Sequence, residues 1–125
     1  MADDAPHLPH AAPIEAYGKG GFSFADMSHR GSLLCLPDGI WALPVARVED
    51  ITAETLAPVF ARAGIISLCL IGAGTRSAIL PLDLRRAFQN HKIAVECTTT
   101  SAAVSTYNIL LDERRPVAAL LIATS

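Results

Sequence analysis

The chain has 125 residues, 51% of them hydrophobic and 18% charged, which is enough apolar material for one core and too little polarity for a mostly disordered chain. A net charge of −2 supplies no general attraction toward nucleic acid or an anionic membrane. Its longest apolar runs, about seven residues, fall far short of the roughly 20 that a membrane-spanning helix requires.

The first 13 residues, MADDAPHLPHAAP, are acidic and proline-rich. They lack the charged and apolar regions of a secretory signal and the arginine bias of a mitochondrial presequence, so the chain reads as cytoplasmic. Residues 1–12 are expected to form a floppy tail, with a single domain over 13–125. Ile14–Tyr17 is expected as a short strand, followed by a turn at Gly18-Lys19-Gly20-Gly21 and a second strand at Phe22–Phe24. Met27-Ser28-His29-Arg30 reads as a loop, and Ser32–Leu36 as a third strand. Pro37-Asp38-Gly39 turns the chain into Ile40–Leu43, so the first 45 residues read as antiparallel hairpins.

The period then changes. Leu56, Val59, Phe60 and Ala63 fall on one helical stripe, capped by Asp50 or Thr52 and leaving at Gly64. Pro58 lies inside it and is expected to kink the helix or delay its regular part to Ala57. A second helix is expected over Pro81–His91, and a third over Ser101–Arg114 with Thr99 or Thr100 at its start. Between these helices, Ile65–Ile71, Ile93–Cys97 and Val117–Ala123 are near-continuous apolar runs, the pattern of strands buried on both faces. Together these predict one α/β domain: a central mixed β-sheet with helices packed on it and an N-terminal antiparallel hairpin region.

Residues 1–54 hold eight acids and three bases, and residues 55–125 hold four acids and seven bases. Arg76, Arg85, Arg86, Arg114 and Arg115 are either a basic patch or the solvated faces of helices and a turn. Cys35, Cys69 and Cys97 form no CxxC pair and sit in apolar strands, as small hydrophobic side chains do.

Gly72-Ala73-Gly74 follows a strand, yet Ser77 stands where a dinucleotide fingerprint needs its third glycine, and Pro81 places the helix start too late. Only Glu96, about 20 residues further on, fits that motif. No GxxxxGK[ST], GxSxG elbow, paired carboxylates or metal-ligand spacing is present; no cofactor or metal is expected. One polar cluster remains. Thr98, Thr99, Thr100 and Ser101 open a helix, and Gly72, Gly74 and Arg76 end the neighbouring strand. They either cap the helix alone or also contact a small anion or a partner.

The ordered set Tyr17-Gly18 with Gly21-Phe22-Ser23-Phe24, His29-Arg30-Gly31-Ser32, Leu70 to Gly74, and Thr106-Tyr107-Asn108-Ile109-Leu110-Leu111 resembles a small α/β family of unknown biochemical function. That family includes short prokaryotic proteins and a mitochondrial assembly factor of respiratory complex I. The resemblance spans about residues 14–123. It implies a compact mixed-sheet domain, no established catalysis, and work by binding a protein partner. The Gly72-x-Gly74 turn, Tyr107 and Asn108 match the family pattern. Thr99 stands where an Asp is frequent, and Val104-Ser105 where a Cys-Arg or Val-Arg pair is frequent, so a charged pair is missing near the helix start.

The expected function is therefore a non-enzymatic binding protein, aiding assembly of a respiratory or other membrane-associated complex. The alternative is a small-ligand or anion-binding domain, or an unrecognised enzyme, with its site at the Gly72–Arg76 turn and the Thr98–Ser101 helix start. The candidate contacts are Gly72, Gly74, Arg76, Thr99, Thr100, Ser101, Tyr107 and Asn108. The expected partners are respiratory complex subunits or another assembly factor, without nucleic acid or membrane insertion. Low charge also leaves room for a homo-oligomer face.

Overall fold

The structure is a computed structural model that describes residues 5–125. Two sheets and three helices make up the fold. β1 (Ala16–Gly18), β2 (Gly21–Phe24) and β3 (Met27–Arg30) form a three-stranded antiparallel sheet. β4 (Ser32–Leu36), β5 (Gly39–Leu43), β6 (Leu68–Gly72), β7 (Ala94–Thr98) and β8 (Ala118–Leu121) form a five-stranded sheet in the order β5-β4-β8-β6-β7. β6 runs parallel to both β7 and β8, whereas β4 runs antiparallel to β5 and β8, so the sheet is mixed. The expected hairpin region thus divides between the two sheets.

Strand alternation splits the core into two layers. Leu34, Leu36, Cys69, Ile71, Ala118 and Leu120 face α1 (Ala53–Phe60) and α2 (Leu82–Asn90). Leu33, Cys35, Leu70, Ala119 and Leu121 face α3 (Thr100–Asp112) and the small sheet, where Phe22 and Phe24 are buried. Because successive side chains point to opposite faces, a strand covered on both sides must be apolar at every position. β8 meets that condition throughout, and β4 does from Leu33 to Leu36; its first residue, Ser32, is buried with its hydroxyl accepting from the Ala123 N–H. β7 does not: it is an edge strand with Ala94 and Glu96 exposed, which corrects the expectation that it is buried on both faces.

Several local expectations change. Met27–Arg30 is strand β3, with His29 opposite Phe22, rather than a loop. The first strand starts at Ala16, later than Ile14. α1 is regular from Ala53 despite Pro58, because a reciprocal Thr52–Thr55 capping box fixes its first turn. In the part of the expected tail that is described, the backbone of His7 and Leu8 bonds to Ile40. Ala12 is buried against α3. Residues 1–4 lie outside the described residues.

Candidate functional site

The candidate residues gather at the start of α3 and along one of its faces. Gly72 ends β6 where α3 crosses it closely: a Cβ there would stand 2.8 Å from the Thr100 Cα. Glycine is thus required by the approach of two backbones. Gly74 has φ +102°, a conformation that side chains disfavour. The Thr100 backbone N–H donates to the Gly74 carbonyl at 2.9 Å, and the Gly74 N–H donates to Thr100 Oγ1 at 3.0 Å. The same hydroxyl donates to the Ile122 carbonyl at 2.7 Å. Thr100 is fully buried, so its side chain is consumed in joining β6, α3 and the end of β8.

Thr99 caps the helix, its Oγ1 accepting from the Ala102 N–H at 3.1 Å. Ser101 Oγ accepts from the Tyr17 hydroxyl at 2.7 Å. Arg76 stands apart: it is exposed and bonds to none of the described residues. A cleft of about 280 Å3 does lie beside the glycine turn, walled by Ala73 to Thr75, Arg47 to Glu49 and Ile122 to Ser125. Neither the α3 start nor Arg76 lines it, so this cleft does not join the two halves of the cluster.

Tyr107 and Asn108 face the N-terminal segment. The Tyr107 hydroxyl donates to the Ala12 carbonyl at 3.0 Å. Asn108 bonds both polar groups of Ile14: Oδ1 accepts from its N–H and Nδ2 donates to its carbonyl, each at 2.9 Å. One side chain thereby mimics a neighbouring strand for a segment whose backbone groups would otherwise lack partners. Together with Tyr17 to Ser101, four bonds tie residues 12–17 to α3. Asn108 sits on the side of α3 that meets the N-terminal segment, a contact across 94 residues that no local sequence pattern marks.

The nucleophile and base candidates are spread through the scaffold. Burial pushes the Cys35 thiol up to about 12 and raises the Cys69 thiol further still. Cys97 is half-buried and also raised by burial. His29 is held below its ordinary value by burial and by His7, whose ring centroid is 4.9 Å away. His91 Nδ1 lies 2.8 Å from the Ala87 carbonyl, and its ring stacks on Phe60. Among the described residues no three His, Cys, Asp or Glu side chains gather as metal ligands. No helix there is long and apolar enough to cross a membrane.

The fold and its anchored helix define a small mixed α/β domain. A protein family described as being of unknown function (DUF498/DUF598) matches residues 14–122, and the chain belongs to it. Its similarity to an uncharacterized protein of Rhodobacter capsulatus is 36% identity, covering 98% of this chain and 93% of that protein. A crystal structure of a Bartonella henselae protein described as an outer membrane protein matches with 44% identity and a TM-score of 0.91, covering 95% of this chain and all of that one. NADH dehydrogenase (ubiquinone) 1 alpha subcomplex assembly factor 3 of Xenopus tropicalis is 30% identical over 87% of this chain. The chain spans 60% of that factor's length.

Proposed function

We propose that the chain holds a protein partner during assembly of a respiratory, complex I-like, or other membrane-associated complex, working in the cytoplasm without chemistry of its own. The observation that carries this reading is the similarity to assembly factor 3, which runs through 87% of the chain. The site geometry supports it from the other side. The hydroxyls at the α3 start are spent on capping and on joining strands, which leaves the small-anion alternative with an exposed Arg76 and little else. Tyr107 and Asn108 then serve as internal anchors.

Deletion of the gene in its native cell tests the proposal. Levels of assembled NADH dehydrogenase on native gels should fall and return on complementation, and a tagged chain should co-purify with a subunit or a second assembly factor. Unchanged complex levels together with no specific partner would overturn it.

A further inference from the structure

The small sheet of β1, β2 and β3 turns one face inward, where Phe22 and Phe24 are buried. Its other face looks out on a cleft of about 500 Å3. Strand register arranges that outer face in two rows. Gly18, Gly21 and Arg30 stand opposite one another in the first, and Ala16, Ser23 and Ser28 in the second. Glycine, alanine and serine at these places keep the floor low. A Cβ at Gly18 would meet nothing within 4 Å, so the space above the first row is open. Residues 17–24 and 29–32, two of the stretches by which the chain resembles its family, converge here. Lys19, Ser23 and Arg30 within them take no part in the anchoring of α3.

Lys19 reaches the same cleft from the turn between β1 and β2. The two central residues of that turn, Lys19 and Gly20, have φ +54° and +79°, as a tight two-residue hairpin demands. Such a turn favours Asn or Gly at its first position, so Lys19 is held where a lysine is sterically disfavoured. The turn is fastened through Gly20. Its N–H donates to the Thr124 carbonyl at 2.6 Å, and its carbonyl accepts from the Gly31 N–H at 2.7 Å. The second bond joins the turn to the residue after Arg30 and so sets both cations at one end of the sheet. Lys19, Ser28 and Arg30 are exposed. Neither cation pairs with a described carboxylate, and no Asp or Glu lines the cleft. The hydroxyls of Ser23 and Ser28 bond to no described residue. Two cations and two hydroxyls thus face one opening as unspent donors.

We infer that this cleft binds a small phosphate monoester, with its phosphoryl group between Lys19 and Arg30 and its organic part over the low floor. A concave surface lined by one sign of charge concentrates ions of the other. Ser28 lies two residues before Arg30 on the same face, so a hydroxyl donor stands beside the guanidinium. A phosphoryl group offers three acceptor oxygens in different directions, which suits a guanidinium fork, an ammonium and a hydroxyl together; a planar carboxylate offers two. The volume exceeds that of one phosphate and falls in the range of small-molecule sites, which leaves room for the ester's carbon skeleton. The inference stands apart from the assembly reading, and neither requires the other.

The probes are glycerol phosphate, inorganic phosphate and a Glu-rich peptide, titrated by calorimetry at low salt. Binding heat is the readout because strongly hydrated anions stabilise any fold. Glycerol phosphate should bind saturably, more tightly than inorganic phosphate, and more weakly as salt screens the cations. Amide resonances of residues 18–21 and 28–31 should move in isotope-labelled protein. Lys19→Asn, which suits the turn, combined with Arg30→Gln should weaken binding about a hundredfold, about tenfold for each cation removed, without lowering the thermal midpoint. Equal binding by the double variant, no saturable heat with glycerol phosphate, or resonance changes gathered elsewhere overturns the inference. Equal affinity for both phosphates does so too, as the mark of an adventitious ion only. A Glu-rich peptide that displaces glycerol phosphate also overturns it, since the cleft then holds an acidic protein segment. Should the double variant fail to fold, the resonance map of the wild-type protein decides alone. None of these failures touches the assembly role, and a gene deletion without effect on complex levels leaves the cleft standing.

Discussion

Replacing Thr100 with Val separates a structural hydroxyl from a ligand-binding one. The side chain is fully buried, donates to Ile122 at 2.7 Å and accepts from Gly74 at 3.0 Å. Valine keeps the volume and removes both bonds, leaving one carbonyl and one amide without partners, at about 1–3 kcal/mol each. The added methyl returns roughly 1 kcal/mol through burial, so the expected loss is about 1–5 kcal/mol, centred near 3. For a domain of this size 1 kcal/mol moves the thermal midpoint by roughly 4 °C, so a fall on the order of 10 °C is expected by circular dichroism. Thr100→Ser keeps both bonds and should lose only about 1 kcal/mol, the value of one methyl. If the valine variant melts with or above the serine variant, the hydroxyl is not the joint described here. If phosphate raises the midpoint of the wild type but not of the valine variant, the cluster binds anions and the scaffold reading fails.

Gly72→Ala should destabilise by about 1–3 kcal/mol, because its Cβ would meet the Thr100 Cα at 2.8 Å; a urea midpoint equal to wild type would contradict that crowding. Asn108→Ala removes both bonds to Ile14 and should cost about 2 kcal/mol, with faster hydrogen exchange at the Ile14 amide than at β8. Because His29 is held below its ordinary 6.5, first by burial and then by His7, the unfolded chain takes up the proton first. Stability is then full above about pH 6.5 and declines as the pH falls from there to the lowered value. His29→Gln should flatten that decline in urea titrations at a series of pH values. In the native protein Cys97 should be alkylated before Cys35 and Cys69, which are wholly buried; mass spectrometry of partly labelled protein would show the order.

The parts of the fold that were legible are those in which one residue pattern admits one packing. The unbroken apolar runs around Leu68 and Ala118 required cover on both faces, and they received it. The helix expected over Ser101–Arg114 formed as α3, and Ala103, Val104, Tyr107 and Leu110 at helical spacing make its buried side. Ile93–Cys97 looked equally apolar yet became an edge, because strand order depends on crossovers that no single segment encodes. Met27–Arg30 was missed because one apolar residue among Ser, His and Arg gives no alternation to read; its pairing comes from β2. At the candidate site, the helix cap at Thr99 followed from residue type. The bonds from Thr100 to Ile122 and from Asn108 to Ile14 join positions 22 and 94 residues apart, beyond any local signal. The Arg62–Asp38 ion pair was hidden for the same reason: Asp38 looked like a turn residue, and its partner lies 24 residues on.

The strand order carries a consequence for how the molecule comes into being. β8, at residues 118–121, sits between β4 and β6. A growing chain can pair β4 with β5 and β6 with β7, but the two halves cannot join into one sheet until β8 emerges from the ribosome. Loop closure over such long separations is slow. Nascent chains stalled before Ala118 should therefore remain open to proteases and chaperones, and the domain should snap shut only when its central strand arrives.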